Sequence, residues 1–230
     1  MPLKRVSIPS PNYSSRGGAR VTTIVLHTAE GATTYQSLGA FFQNPASGVS
    51  SHVGIDDTPG TVGEYVPRSG KSWTAANANP WSVQAELCGF AAWTAADWAA
   101  HPQMLANTAA WIAEEAAAFG IPLPLLSAEQ AQDPSAAGVC QHADLGSMGG
   151  GHWDCGPAFP IEQVLSMAAG GAGGGTTEDD LPLNDADKQW ISKAINDALR
   201  QQFAPEGECY ARVVGADAEA IRRTPANIPK

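Results

Sequence analysis

Five side chains carry the types and placement for hydrolytic chemistry: His27, Glu86, His142, His152 and Asp154. Two imidazoles and a carboxylate form a ligand set used for hydrolytic zinc, which takes three protein ligands and keeps its fourth position for water. Water held there loses a proton near neutral pH, and a carboxylate close by, such as Glu86, can accept it. His142 sits in "CQHADLG" and Asp154 in "GGGHWDCGPAFP", residues 149–160. The run Gly149–Gly151 between them would let the backbone fold tightly and return Asp154 to a metal held by His142. Cys155, beside Asp154, is chemically competent for the same ligand position. His27 alone would read as a structural histidine at a strand end; His142 and Asp154 give it its meaning.

Such groups meet only if their elements bring them together. "VTTIVLHT" (21–28) is a β-branched run that reads as a buried strand carrying His27 near its end. "TTYQSLGAFFQNP" (33–45) has helical spacing with a Thr start and a Pro stop. "SSHVGIDD" and "VGEYVPR" flank "TPG" and read as a hairpin, 50–57 with 62–68. "SVQAELCGF" (82–90) alternates, with Val83, Ala85 and Leu87 on one side and Gln84, Glu86 and Cys88 on the other. Residues 94–120 are Ala-rich and helical, with Thr94 and Asp97 as a capping box, Pro102 as a break and Gly120 as a C-cap. "GVCQHADL" (138–145) is a further strand and "PIEQVLSMAAG" (160–170) a short helix. The pattern predicts an α/β domain, a mixed central β-sheet flanked by helices, in which strand ends and their following loops converge on one crevice.

Four segments follow: an irregular, Pro/Gly/Ser-rich arm over 1–19, a catalytic domain over 20–169, a Gly-rich linker over 170–180 ("GGAGGGTTEDD") and a helical appendage over 181–230. The appendage contains one amphipathic helix striped by Trp190, Ile191, Ala194, Ile195, Ala198 and Leu199. A lone helix of that length is marginal, so it needs the main domain, a second copy of itself or a target.

Composition narrows the partners. The 230 residues carry a formal net charge of -10, and no Lys or Arg occurs between Lys71 and Lys188, which excludes a nucleic-acid face in the middle of the chain. Apolar residues make up 43% and Trp numbers 7, enough to build a core. The four Cys (88, 140, 155, 209) are scattered without a CxxC pair and read as free thiols in a reducing compartment. "MPLKRVSIPS" lacks the apolar run of a signal peptide, and no stretch approaches the length of a membrane span, so a soluble protein without its own export signal is expected.

Four blocks, "VLHTAEG", "SSHVGIDD…GTVGEYV", "SVQAELCG" and "QHADLG…GHWDCGPAFP", resemble the zinc-dependent N-acetylmuramoyl-L-alanine amidases of the type-2 amidase and peptidoglycan-recognition-protein superfamily over residues 20–168. The resemblance implies peptidoglycan as substrate, zinc as cofactor, and cleavage of the amide between N-acetylmuramic acid and L-alanine. It makes His27 and His142 the histidine ligands and Asp154 the third, with Cys155 at a position where relatives have proline. Glu86 then corresponds to the general base, and His152 to a position where many relatives have a Lys that stabilises the oxyanion. Ser51 precedes His52 where many relatives have a catalytic Tyr, which shifts weight onto Glu86. His52 reads as an orienting residue and His101 as a surface one; Trp73, Trp81 and Trp153 suit a sugar-peptide groove and are equally at home in a core. The linked appendage and the missing signal resemble a phage endolysin, which moves from host cytoplasm to wall. Two rivals are a non-catalytic peptidoglycan-binding module and a cysteine peptidase using Cys155 with His142 or His152.

Overall fold

Strands buried along nearly their whole length must be covered on both faces, and two such strands form the centre of this protein. The computed structural model describes residues 2–171. The strands are β1 Lys4–Ser7, β2 Tyr13–Ser15, β3 Thr23–Thr28, β4 Val53–Ile55, β5 Thr61–Glu64, β6 Gly70–Ser72, β7 Ser82–Leu87 and β8 Gly138–Gln141. The helices are α1 Tyr35–Gln43, α2 Ala95–Ala99, α3 Pro102–Phe119, α4 Ala128–Ala131 and α5 Ile161–Gly171. Six strands make one sheet in the order β1-β5-β4-β7-β3-β8, and β2 pairs with β6 in a small antiparallel sheet. In the large sheet β4 and β5 are antiparallel and every other neighbouring pair is parallel. This is the expected mixed sheet flanked by helices.

Alternation along the two central strands sorts their side chains. Ile24 and Leu26 of β3 join Val83, Ala85 and Leu87 of β7 in the main core, under Met104, Trp111 and Ile112 of α3 and Val164 of α5. Trp111 and Ile112 are fully buried, so cutting either to alanine costs about 2–5 kcal/mol. Val25 points the other way, into a smaller cluster with Ala75, Ala78, Cys140 and Leu145. The period of two then sends His27, Gln84 and Glu86 to this second face, away from α3.

The capping signals are realised as read. The Thr94 side chain accepts from the Asp97 N–H and the Asp97 carboxylate accepts from the Thr94 N–H, closing the capping box of α2. Pro102 starts α3 instead of continuing α2, and Gly120 ends α3 in the left-handed region.

Three expectations change. The arm over 1–19 is not irregular, because Lys4–Ser7 pairs parallel with β5 as an edge strand and Tyr13–Ser15 pairs with β6. Neither piece shows alternation; partners define them, with Arg5 anchoring the edge through Glu64, Glu114 and Glu115. The strand expected over 138–145 stops at Gln141, and residues 142–149 turn into a 3₁₀ stretch. The strand expected over 82–90 stops at Leu87. The linker over 170–180, apart from its first residues, and the appendage over 181–230 lie outside the described residues.

Candidate metal and catalytic site

Strand register sets three of the groups in one row. Parallel pairing of β3 with β7 places His27 opposite Glu86. Pairing of β3 with β8 places Leu26 opposite Gln141, so the next residue on each chain is a histidine, His27 and His142. The row runs along the carboxyl ends of parallel strands, where α/β sheets open into a crevice.

The fourth group arrives by a loop. From His142 the chain coils through the 3₁₀ stretch, and the Gly149 carbonyl accepts from His142 Nε2 at 2.8 Å. A Cβ at Gly149 would stand 2.9 Å from His142 Cδ2, so only glycine permits this approach. Gly150 and Gly151 then take φ of 92° and 78°, which reverses the chain. Asp154 is fastened by its own backbone, whose carbonyl accepts from the Ala143 N–H at 2.8 Å. The Thr28 N–H donates to Asp154 Oδ2 at 3.3 Å.

Three ligand-type atoms meet as a result. His27 Nδ1 lies 2.9 Å from His142 Nδ1 and 3.4 Å from Asp154 Oδ2. His142 Nδ1 lies 3.2 Å from Asp154 Oδ1. All three side chains are buried, and they are the group of His, Cys, Asp and Glu that could hold a metal ion among the described residues. The outer nitrogens are engaged elsewhere, His142 Nε2 with the Gly149 carbonyl and His27 Nε2 with Gln84 Oε1 at 2.9 Å. With their protons on Nε2, both rings turn lone pairs toward each other and toward a carboxylate. Such a set is relieved only by a cation or by added protons.

The electrostatics follow from burial. The His27 imidazole is pushed down by burial and by His142, against the pull of Asp154. Burial would raise the Asp154 carboxyl, but its close contacts with the His142 and His27 rings outweigh it and hold the group below the usual carboxylate range. Glu86 has no such help. Burial, with Asp154 and Glu30 nearby, pushes it up to about 8, and its Oε2 is buried without a hydrogen-bond partner.

A cleft of about 730 Å³ opens over these groups, lined by Glu86, His142, His152 and Asp154, with Phe41 and Trp73 on its apolar side. His152 is exposed and stacks on the His142 ring at 4.6 Å and 11°. All five residues singled out from the sequence therefore gather at one place. Cys155 does not face it; the side chain is fully buried in the main core, and burial drives its thiol well above the ordinary range.

Other expectations sort themselves. His52 is buried and its Nδ1 accepts the Gln84 backbone N–H, an orienting contact. Burial, with the charge of Arg16, pushes it down to about 3. Ser51 donates to the Gln84 carbonyl, and among the described residues no Tyr lines the cleft. His101 is more than a surface residue, since it pairs with Asp57 and stacks on Trp93 at 4.4 Å. Trp73 lines the cleft, Trp81 packs against the smaller cluster, and Trp153 is exposed outside the lining. The sequence reading missed Glu30 and Gln84 as site residues. Glu30 lines the cleft, with Oε1 accepting from Thr28 Oγ1 and the Ala91 N–H. Gln84 was signalled by its type, a polar side chain on the Glu86 face of a buried strand.

A family model described as N-acetylmuramoyl-L-alanine amidase matches residues 17–157. The N-acetylmuramoyl-L-alanine amidase A of Achromobacter lyticus is 33% identical over 91 residues, which cover 40% of this chain and 49% of that protein. The chain thus spans about half the length of that curated relative. Among solved structures, the hydrolase AmiA of Staphylococcus aureus superposes with a TM-score of 0.55 at 19% identity, over 73% of this chain and 83% of that one. AmpD gives 0.53 at 19% identity over 72% and 93%. The endolysin amidase LysCS of Clostridium intestinale gives 0.52 at 16% identity over 72% and 95%. These likenesses are of fold.

Proposed function

The chain belongs to the N-acetylmuramoyl-L-alanine amidase family, and on that premise we propose that it hydrolyses the amide joining N-acetylmuramic acid to L-alanine in peptidoglycan, with zinc held by His27, His142 and Asp154. The observation that carries the reading is the meeting of three electron-pair donors with no hydrogen to share. Tetrahedral zinc with bonds of about 2.0–2.1 Å keeps its ligand atoms about 3.3–3.4 Å apart, and the separations here are 2.9 to 3.4 Å. When bound, zinc would supply a Lewis acid that makes water nucleophilic at neutral pH.

The remaining work falls to the chain's own groups. Glu86, whose carboxylate lines the cleft, accepts the proton of the attacking water and passes it to the departing L-alanine nitrogen. His152 directs an N–H from the rim of the cleft to the oxygen that gains charge as the amide carbonyl turns tetrahedral. Phe41 and Trp73 exclude water on the far wall and receive the apolar faces of the lactyl group and stem peptide. We extend the reading to a lytic, endolysin-like role in which residues 170–180 link the catalytic domain to a tail over 181–230. That part draws on the Gly-rich composition and on the endolysin likeness, and the tail's self-association is testable by sedimentation-velocity comparison of chains with and without residues 181–230.

The deciding experiment is a digest of purified peptidoglycan, with chelator and with zinc restored, read by mass spectrometry. Stem peptides with a free L-alanine amine, lost with chelator and regained with zinc, are expected. A folded, zinc-loaded chain that cuts nothing would identify a binding module, and cleavage indifferent to chelator would turn attention to Cys155.

A further inference from the structure

From the contacts behind His27 we infer that Asn79 and Gln84 form a positioning relay that fixes which nitrogen of this ligand carries the proton. The inference rests on the reading of His27 as a metal ligand. Its chemistry starts from groups whose roles admit no choice. The backbone N–H groups of Thr74 and Ala75 can only donate, and both point at Asn79 Oδ1, at 3.1 and 2.7 Å. The Asn79 atom they meet is therefore the amide oxygen, which can only accept. The Gln84 atom 2.8 Å from it must be the amide nitrogen, which also reaches Ser72 Oγ at 3.3 Å. The other end of the Gln84 amide is then the oxygen, and it stands 2.9 Å from His27 Nε2. Oxygen there requires an N–H on Nε2, and a neutral ring protonated on Nε2 presents a lone pair at Nδ1.

The alternative is close at hand. Were the Gln84 amide turned over or removed, Nε2–H would be buried without an acceptor, while Nδ1 lies 3.4 Å from Asp154 Oδ2. The proton would move to Nδ1 to reach that carboxylate and would block the metal position. Gln84 is fully buried and Asn79 nearly so, which keeps water from substituting for either. The relay ends on Thr74, which lines the cleft beside Trp73. One wall of the cleft and the protonation of the first ligand are thus joined by a single hydrogen-bonded chain.

The test uses the full chain, 15N-labelled and metal-free, with long-range 1H–15N correlations of the histidine rings. Zinc affinity is read separately by competition with a chelating dye. The wild-type chain should show His27 protonated on Nε2. Gln84→Met, similar in length and without an acceptor, should move the proton to Nδ1 and weaken zinc about 10–100-fold. Asn79→Asp keeps an oxygen for all three donors and should preserve both tautomer and affinity, whereas Asn79→Leu should lose both. The Asn79 pair decides the matter even if Gln84→Met does not fold. An unchanged tautomer in Gln84→Met, or Asn79→Asp behaving like Asn79→Leu, overturns the relay. A wild-type chain with the Nε2–H tautomer that binds no zinc leaves the relay standing and refutes the metal reading instead.

Discussion

Glu86→Gln separates stability from activity, because the same burial that equips this carboxylate for proton transfer makes it a burden on the metal-free fold. Its value rises from an ordinary 4.5 to about 8 through burial first, then Asp154 and Glu30. A folded-state value above the unfolded one means that the native state holds the extra proton between those limits. Stability from this group is therefore fully present below about pH 4.5, falls as pH climbs, and is gone above about pH 8. At about 1.4 kcal/mol per pH unit the rise corresponds to a ceiling of roughly 5 kcal/mol, which water entering the open cleft reduces. The glutamine side chain keeps the shape and never ionises. Chemical denaturation of the chelated protein should show the variant and wild type nearly equal at about pH 4.5 and the variant more stable by roughly 2–5 kcal/mol at about pH 9. The zinc-loaded variant should lose about 10²–10⁴-fold in kcat on peptidoglycan. A stability difference that does not grow with pH would refute the buried, unpaired carboxylate, and retained activity would refute its role as base.

Three further outcomes are expected. Asp154→Ala should lose bound zinc and activity together, while Cys155→Ala should keep both at a cost on the order of 1 kcal/mol in stability, as read by metal analysis and thermal melts; a zinc-free Cys155→Ala would reverse the ligand choice. His152→Ala should lower kcat about 10–10³-fold with zinc content unchanged, and His152→Lys should recover part of it, as separated by turnover assays and metal analysis. Saturating zinc at about 1,000 times its Kd should stabilise the chelated chain by about 4 kcal/mol, and a melting temperature that zinc does not move would count against the site.

The elements were legible where one strong local signal ruled them. β3 declares itself through a β-branched run, and the break between α2 and α3 through Thr94, Asp97 and Pro102. β1 was invisible because Lys4–Ser7 has no pattern of its own and is a strand only beside β5. At the site, types and strand-end positions singled out His27, Glu86, His142, His152 and Asp154. Gln84 and Asn79 escaped because their roles lie in register and in which end of an amide faces which neighbour, and neither is written in residue type. His142 shows the boundary between the two kinds of knowledge. Its strand was expected to run on to Leu145, yet the turn at Gln141 is what curls Gly149 back to hold its ring.

The charge layout gives the site its dependence on an outside cation. Among the described residues no Lys or Arg lines the cleft, although Glu30, Glu86 and Asp154 all do. Three arginines of the same domain are committed elsewhere: Arg5 and Arg68 to Glu115, and Arg16 to the carbonyls of Asn79, Pro80 and Ser82. No Lys or Arg lining the cleft can therefore neutralise the two lone pairs and the carboxylate that meet at the end of β3. The chain must take up protons there, which silences the histidines, or a metal, which arms them.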